Sequence, residues 1–160
     1  MAEHLILDGE GKDERYRSLI PQALALIDGE TDQTAALANV GAALAMAFDW
    51  LWTGFYLVKN GELVLGPFQG PIACTRIKRG KGVCGTAWDQ ARTLVVPDVE
   101  AFPGHIACSS HSRSEIVVPV FNAAAEVVAV LDVDASHTEA FDETDARYLE
   151  QLAAGLGHLF

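Results

Sequence analysis

The chain has 160 residues, 22 of them acidic against 11 basic, a formal charge of −11, and half of its residues are hydrophobic. That length fits one domain with a sizeable core, which sets aside disordered chains and small disulfide scaffolds. The acidic balance repels phosphate backbones, and the longest apolar stretches, such as Ala42 to Phe48, fall far short of the roughly 20 residues a bilayer span needs. No cationic, apolar leader opens the chain, so a reducing, cytoplasmic setting is expected, with neither nucleic acid nor membrane as partner.

In chain order, residues 1–12 read as an N-terminal extension of a single domain spanning 1–160. A first helix is expected from about Asp13 to Ile27, broken by Asp28-Gly29, and a second over Asp32 to Phe48 with Thr31 or Asp32 as its cap. Trp52 to Val58 and Leu63 to Phe68 are β-rich runs joined through Asn60-Gly61, a strong hairpin signal. Ile72 to Ile77 reads as a short third strand. Gly80 to Gly85 reads as a tight turn feeding a short helix over Ala87 to Gln90, and Thr93 to Val96 as strand. Pro97 to Ser114 is a long irregular loop, and such loops in compact domains usually have a task. Glu115 to Phe121 and Val127 to Val133 form a second strand pair. Asp142 and Asp145 open a closing helix that runs to about His158. Short connections between consecutive strands predict an α+β fold: an antiparallel sheet with helices packed against it.

Gly80-Lys81-Gly82-Val83-Cys84-Gly85 matches the dinucleotide fingerprint G-x-G-x-x-G, yet no βαβ unit surrounds it, so a turn needing positive φ is the better reading. Cys74, Cys84 and Cys108 together with His105 or His111 have the composition of a zinc site but lack its Cys-x2-4-Cys spacing. Inert burial is the ordinary fate of an intracellular thiol, and Cys74, between Ala73 and Thr75 in a short strand, is a candidate for it. Cys108 fits it least, because it lies in a polar loop with His105, His111 and Arg113, groups able to stabilise a thiolate. Glu115, Asp132 and Asp134 occupy apolar strands, where a carboxylate is costly unless it sits at a wet strand end or binds a cationic or polarised ligand. Trp52, Gly54 and Tyr56 share one strand face, and the small Gly54 leaves room for a gap between two rings.

Taken together, Trp52-Thr-Gly-Phe-Tyr56, Leu65-Gly-Pro-Phe-Gln-Gly70, Ile72-Ala-Cys74, Gly80 to Gly85, Gly104-His-Ile-Ala-Cys108, Ser114-Glu-Ile116 and Leu131-Asp-Val-Asp134 resemble the free methionine-(R)-sulfoxide reductases, enzymes built on a GAF domain. The resemblance runs from about Trp52 to Asp145. It implies Cys108 as nucleophile, Cys74 as resolving thiol and Cys84 as an auxiliary or alternative resolving thiol. It further implies that Glu115, Asp132 and Asp134 hold the substrate's ammonium and polarise its sulfoxide, while Trp52 and Tyr56 enclose the methylthio end. Thioredoxin as external reductant, no bound metal or organic cofactor, and a homodimer follow from the same resemblance. The turn Asn122 to Glu126 is a residue long against the family, and Ala129 stands where glycine is expected. A non-catalytic GAF module that senses a small molecule or redox state is the alternative, because a fold alone does not specify chemistry. A purely structural dimerisation module would leave the three carboxylates without a purpose.

Overall fold

The structure, a computed structural model, describes residues 4–160; the first three residues of the expected extension lie outside the described residues. Residues 5 and 7 pack partly against the core, and Ser18 Oγ and Gln22 Nε2 both donate to the Ile6 carbonyl, which fastens the segment along the first helix. That helix, α1, is Lys12–Ile27; α2 is Gln33–Ala47, with the Asp32 carboxylate accepting from Ala35 N at 2.8 Å as its N-cap. Asn60 and Gly61 both adopt positive φ, 51° and 79°, the two-residue turn that matches strand twist. They join β1 (Trp52–Lys59) to β2 (Glu62–Gln69). The chain continues through β3 (Arg76–Lys78), α3 (Gly82–Gln90), β4 (Leu94–Val96), β5 (Ser114–Phe121), β6 (Val127–Ala135) and α4 (Glu143–Leu156). Asp142 and Asp145 form a reciprocal capping box at the start of α4.

All five strand pairings are antiparallel, in the order β3-β2-β1-β6-β5-β4. Alternation gives the sheet two apolar faces. Phe55, Leu57, Ile116, Val118, Leu131 and Val133 meet α1, α2 and α4 on one side. On the other, Trp52, Tyr56, Val117 and Val130 meet Val83, Cys84, Ala87 and Trp88 of α3.

Two expectations about local structure need correction. The third strand is Arg76–Lys78 alone, and Cys74 lies in the irregular stretch before it. There the carbonyls find ring partners in place of a neighbouring strand: Trp52 Nε1 donates to Pro71 O at 3.1 Å and Tyr56 OH to Cys74 O at 2.9 Å. The short helix begins at Gly82, five residues earlier than Ala87, so Cys84 belongs to its first turn. Gly80 and Gly82 complete the turn at φ of 75° and 61°, and a Cβ on Gly85 would strike the Lys78 carbonyl.

Candidate active site

Strand register builds the floor of a cavity. Trp52 pairs with Asp134, which pairs in turn with Glu115, so one row across β1, β6 and β5 carries an indole and two carboxyls. In the next row Gly54 faces Asp132 and Asp132 faces Val117. Period-2 alternation then sends Trp52, Tyr56, Glu115, Asp132 and Asp134 to the side of the sheet that α3 covers. Above them, Cys74 and Cys108 are joined by a disulfide with their Cα atoms 5.5 Å apart. Cys84 is a buried free thiol, its Sγ 3.9 Å from Glu115 Oε1. Seven of these eight residues, all but Cys74, line one cavity of about 540 Å³ including its open mouth.

Burial governs the electrostatics. Glu115 and Asp132 are each 6% exposed. Desolvation, with Asp134 opposite, pushes the Glu115 carboxyl up to about 8, and the same burial, reinforced by neighbouring acids, raises Asp132 and Asp134 well above the ordinary carboxyl range. The Cys84 thiol is also raised by its burial and by Asp132 and Glu115. No Lys or Arg is ion-paired to these three acids among the described residues, so burial favours their neutral forms until a cation arrives. Asp132 Oδ1 is buried without any hydrogen-bond partner. Asp134 is better served: Ser112 Oγ donates to its Oδ1 at 2.7 Å.

The aromatic wall differs from the expected gap. Trp52 itself leans across Gly54, its ring centroid 5.2 Å from that of Phe68 and 5.9 Å from that of Tyr56, so a Cβ on Gly54 would collide with both Phe68 and Trp52. Glycine is needed here for close packing of rings. The Cys3His zinc set does not form, because Cys74 and Cys108 are bonded to each other. His105 instead approaches an acid, its Nε2 3.7 Å from Glu115 Oε2, with the imidazole pKa lowered by burial. Arg113 donates to the carbonyls of Ser110 and Ser112.

Sequence reasoning missed Phe68 and Ser112. Counting from the two-residue turn puts Pro67 opposite Gly54, and an irregularity between Gly54 and Tyr56 shifts the pairing to Phe68. Ser112 lies in the irregular loop, where no periodicity assigns a direction.

A GAF domain family model matches residues 30–160. The free methionine-R-sulfoxide reductase of Escherichia coli is 45% identical over 146 residues, 91% of this chain and 88% of that protein. The free methionine-R-sulfoxide reductase of Saccharomyces cerevisiae is 41% identical over 150 residues, 89% and 83%. This chain belongs to the free methionine-(R)-sulfoxide reductase family. Within that family, the crystal structure of the Neisseria meningitidis free methionine-R-sulfoxide reductase in complex with its substrate superposes with a TM-score of 0.95 at 53% identity, covering 98% of this chain and 95% of the other. The family's fold is thus this fold, a six-stranded antiparallel sheet with four helices.

Proposed function

We propose that this protein reduces free L-methionine (R)-S-oxide to methionine with thiols as the electron source. The observation that carries the reading is the placement of Cys108, bonded to Cys74, in one cavity with Glu115, Asp132 and Asp134, the first two of them buried. Asp132, with its orphaned oxygen, and Asp134 receive the substrate's α-ammonium. Trp52 and Tyr56 enclose the methylthio end. Cys108 as a thiolate attacks the sulfoxide sulfur while Glu115, protonated because burial raises it to about 8, gives its proton to the sulfoxide oxygen. The oxygen leaves with Cys108 as a sulfenic acid, and the electron pair returns to sulfur as methionine departs. Cys74 then attacks the sulfenic sulfur, water leaves, and the disulfide remains. An external dithiol protein, thioredoxin by family membership, reduces it by exchange, so the cycle balances as sulfoxide plus dithiol giving methionine, water and disulfide. Cys84 is an auxiliary or alternative resolving thiol. This thiol chemistry calls for no bound cofactor, and the family membership supports a cytoplasmic homodimer as its setting.

The test is methionine release in single-turnover and NADPH-coupled assays with thioredoxin and its reductase. Cys108→Ser should release no methionine, Cys74→Ser about one equivalent per chain, and Cys84→Ser should retain multiple turnover. Exchange of the last two phenotypes would make Cys84 the main resolving thiol. The free R-sulfoxide should be consumed and its N-acetyl form should not, because acetylation removes the cation the acids receive. Sustained turnover by Cys108→Ser, or equal rates on the acetylated form, would overturn the assignment.

A further inference from the structure

Cys84 contributes nothing to the disulfide, yet it is held at the centre of the acid cluster. Its Sγ, a Glu115 oxygen and an Asp132 oxygen all lie within 4.8 Å of one another. Three separate elements supply them: the first turn of α3, the start of β5 and the middle of β6. Donors fixed on helices and strands are pre-organised in a way that loop donors are not. We propose that Cys84, Glu115 and Asp132 form a binding site for a thiophilic divalent cation, zinc foremost, and that an ion there excludes the amino-acid substrate.

The geometry favours a small tetrahedral ion. With zinc–sulfur and zinc–oxygen bonds of about 2.3 and 2.1 Å, a tetrahedral angle places the two donors about 3.6 Å apart. Cys84 Sγ and Glu115 Oε1 are 3.9 Å apart, so an entering ion needs to draw them together only by tenths of an ångström. A second observation points to a cation independently of the cluster's shape: Asp132 Oδ1 is buried and has no partner. An ammonium ion can satisfy that oxygen but gains little from a sulfur neighbour. A zinc ion engages the Asp132 carboxylate and the sulfur together.

One sulfur with two carboxylate oxygens also selects among metals. Magnesium and calcium prefer oxygen alone, whereas zinc and cobalt accept the mixed set. A fourth position faces the cavity and is open to water or to His105, whose Nε2 is already 3.7 Å from Glu115 Oε2. Because Cys74 and Cys108 are bonded to each other, the site persists in the oxidised chain. A thiol ligates zinc as the thiolate, so metal binding by Cys84 has to release at least one proton. The exclusion of substrate rests on the reductase reading above; the metal site itself does not.

The experiment uses the full chain in its disulfide form, without added thiol, so that Cys84 is the sole free thiol. Cobalt(II) titration should give one ion per chain with a thiolate-to-metal charge-transfer band in the near ultraviolet. Zinc should bleach that band, and magnesium or calcium should not. Cys84→Ser should lose the band and bind zinc at least about tenfold more weakly, while Glu115→Gln and Asp132→Asn should weaken binding comparably yet keep the band at saturation. Circular dichroism checks the fold of each variant. Should one fail to fold, proton release by the unaltered chain, at least one per zinc in weak buffer near pH 7, carries the test. Absence of the charge-transfer band in the unaltered chain, the same band in folded Cys84→Ser, or no proton release would overturn the proposal. Free methionine should displace the cobalt. Cobalt binding that methionine leaves untouched would keep the metal site and remove the exclusion of substrate, while turnover with no cobalt binding would remove the metal site and keep the reductase.

Discussion

Glu115 and Asp134 face each other across β5 and β6, a pairing that repels whenever both are ionised. The free protein tolerates it because burial holds protons on the cluster, and the same protons serve the chemistry. As a general acid, Glu115 is competent below about 8 and loses its proton above that value, so kcat should fall as pH rises through about 8. Glu115→Gln should lose roughly 10²–10⁴-fold in kcat together with that alkaline limb, while its Cys108 remains open to slow alkylation. A Gln variant that keeps the limb would place the acid elsewhere. Asp132 makes a thermodynamic prediction. Its folded pKa is raised, so between the ordinary carboxyl value and the folded one the unfolded chain has released a proton that the folded chain retains. Stability therefore declines as pH rises through that window. Asp132→Asn removes the decline: its melting temperature should exceed that of the unaltered chain by a margin that grows as pH rises above the ordinary carboxyl range. The same variant should bind the free sulfoxide at least about tenfold more weakly, since the group that strains the free fold is the one that receives the ammonium.

At the scale of elements, strand parity made most of the site legible. Trp52, Gly54 and Tyr56 share a face, as do Asp132 and Asp134, because side chains alternate, and the Asn60-Gly61 turn fixed which strands pair. Register was not legible: that Glu115 lies opposite Asp134, and that a bulge brings Phe68 against Gly54, depends on pairings between segments far apart in sequence. The stretch around Cys74 escaped for another reason, since its carbonyls bond to Trp52 and Tyr56 side chains, which no backbone periodicity encodes. The loop from Pro97 to Arg113 was legible as a loop, and its structure gives it a hinge-like division of labour. Its ends are tied down by Glu139 N to Pro97 O, Val99 N to Arg113 O and Arg113 N to Ala135 O. Between Phe102 and Cys108 the backbone makes only short turn bonds, and the disulfide is the long-range tie. Reduction should therefore raise amide exchange between Phe102 and Ser110 while leaving Val99 and Arg113 protected. Equal protection of the whole loop in both redox states would show that the thiols rest at bonding distance without the covalent link.

The whole molecule separates chemistry from stability across one sheet. The cavity occupies the α3 side, while the other side carries the larger apolar cluster under α1, α2 and α4. That second layer is pinned at one point by Asp145, which is 1% exposed and accepts from Lys12 Nζ at 2.6 Å, Tyr16 OH at 2.6 Å and Asp142 N at 2.9 Å. The first two donors come from α1 and the third from the α4 cap, so a single carboxylate joins the starts of both helices. Asp145→Ala would strand the fully buried Tyr16 hydroxyl, leave Lys12 with the exposed Asp142 and the Ala140 carbonyl, and undo the capping box. Breaking a buried charged network in this way costs about 3–5 kcal/mol, which for a chain of this length is roughly 6–20 °C in melting temperature. None of the groups that line the cavity contacts this network through a hydrogen bond, and the sheet stands between them. At a temperature well below the lowered transition, kcat/KM for the free sulfoxide should therefore stay within about twofold of the unaltered chain. A larger loss of activity in Asp145→Ala, measured while circular dichroism still reports the folded state, would mean that the helical layer sets the register of β5 and β6 and with it the spacing of Glu115 and Asp134.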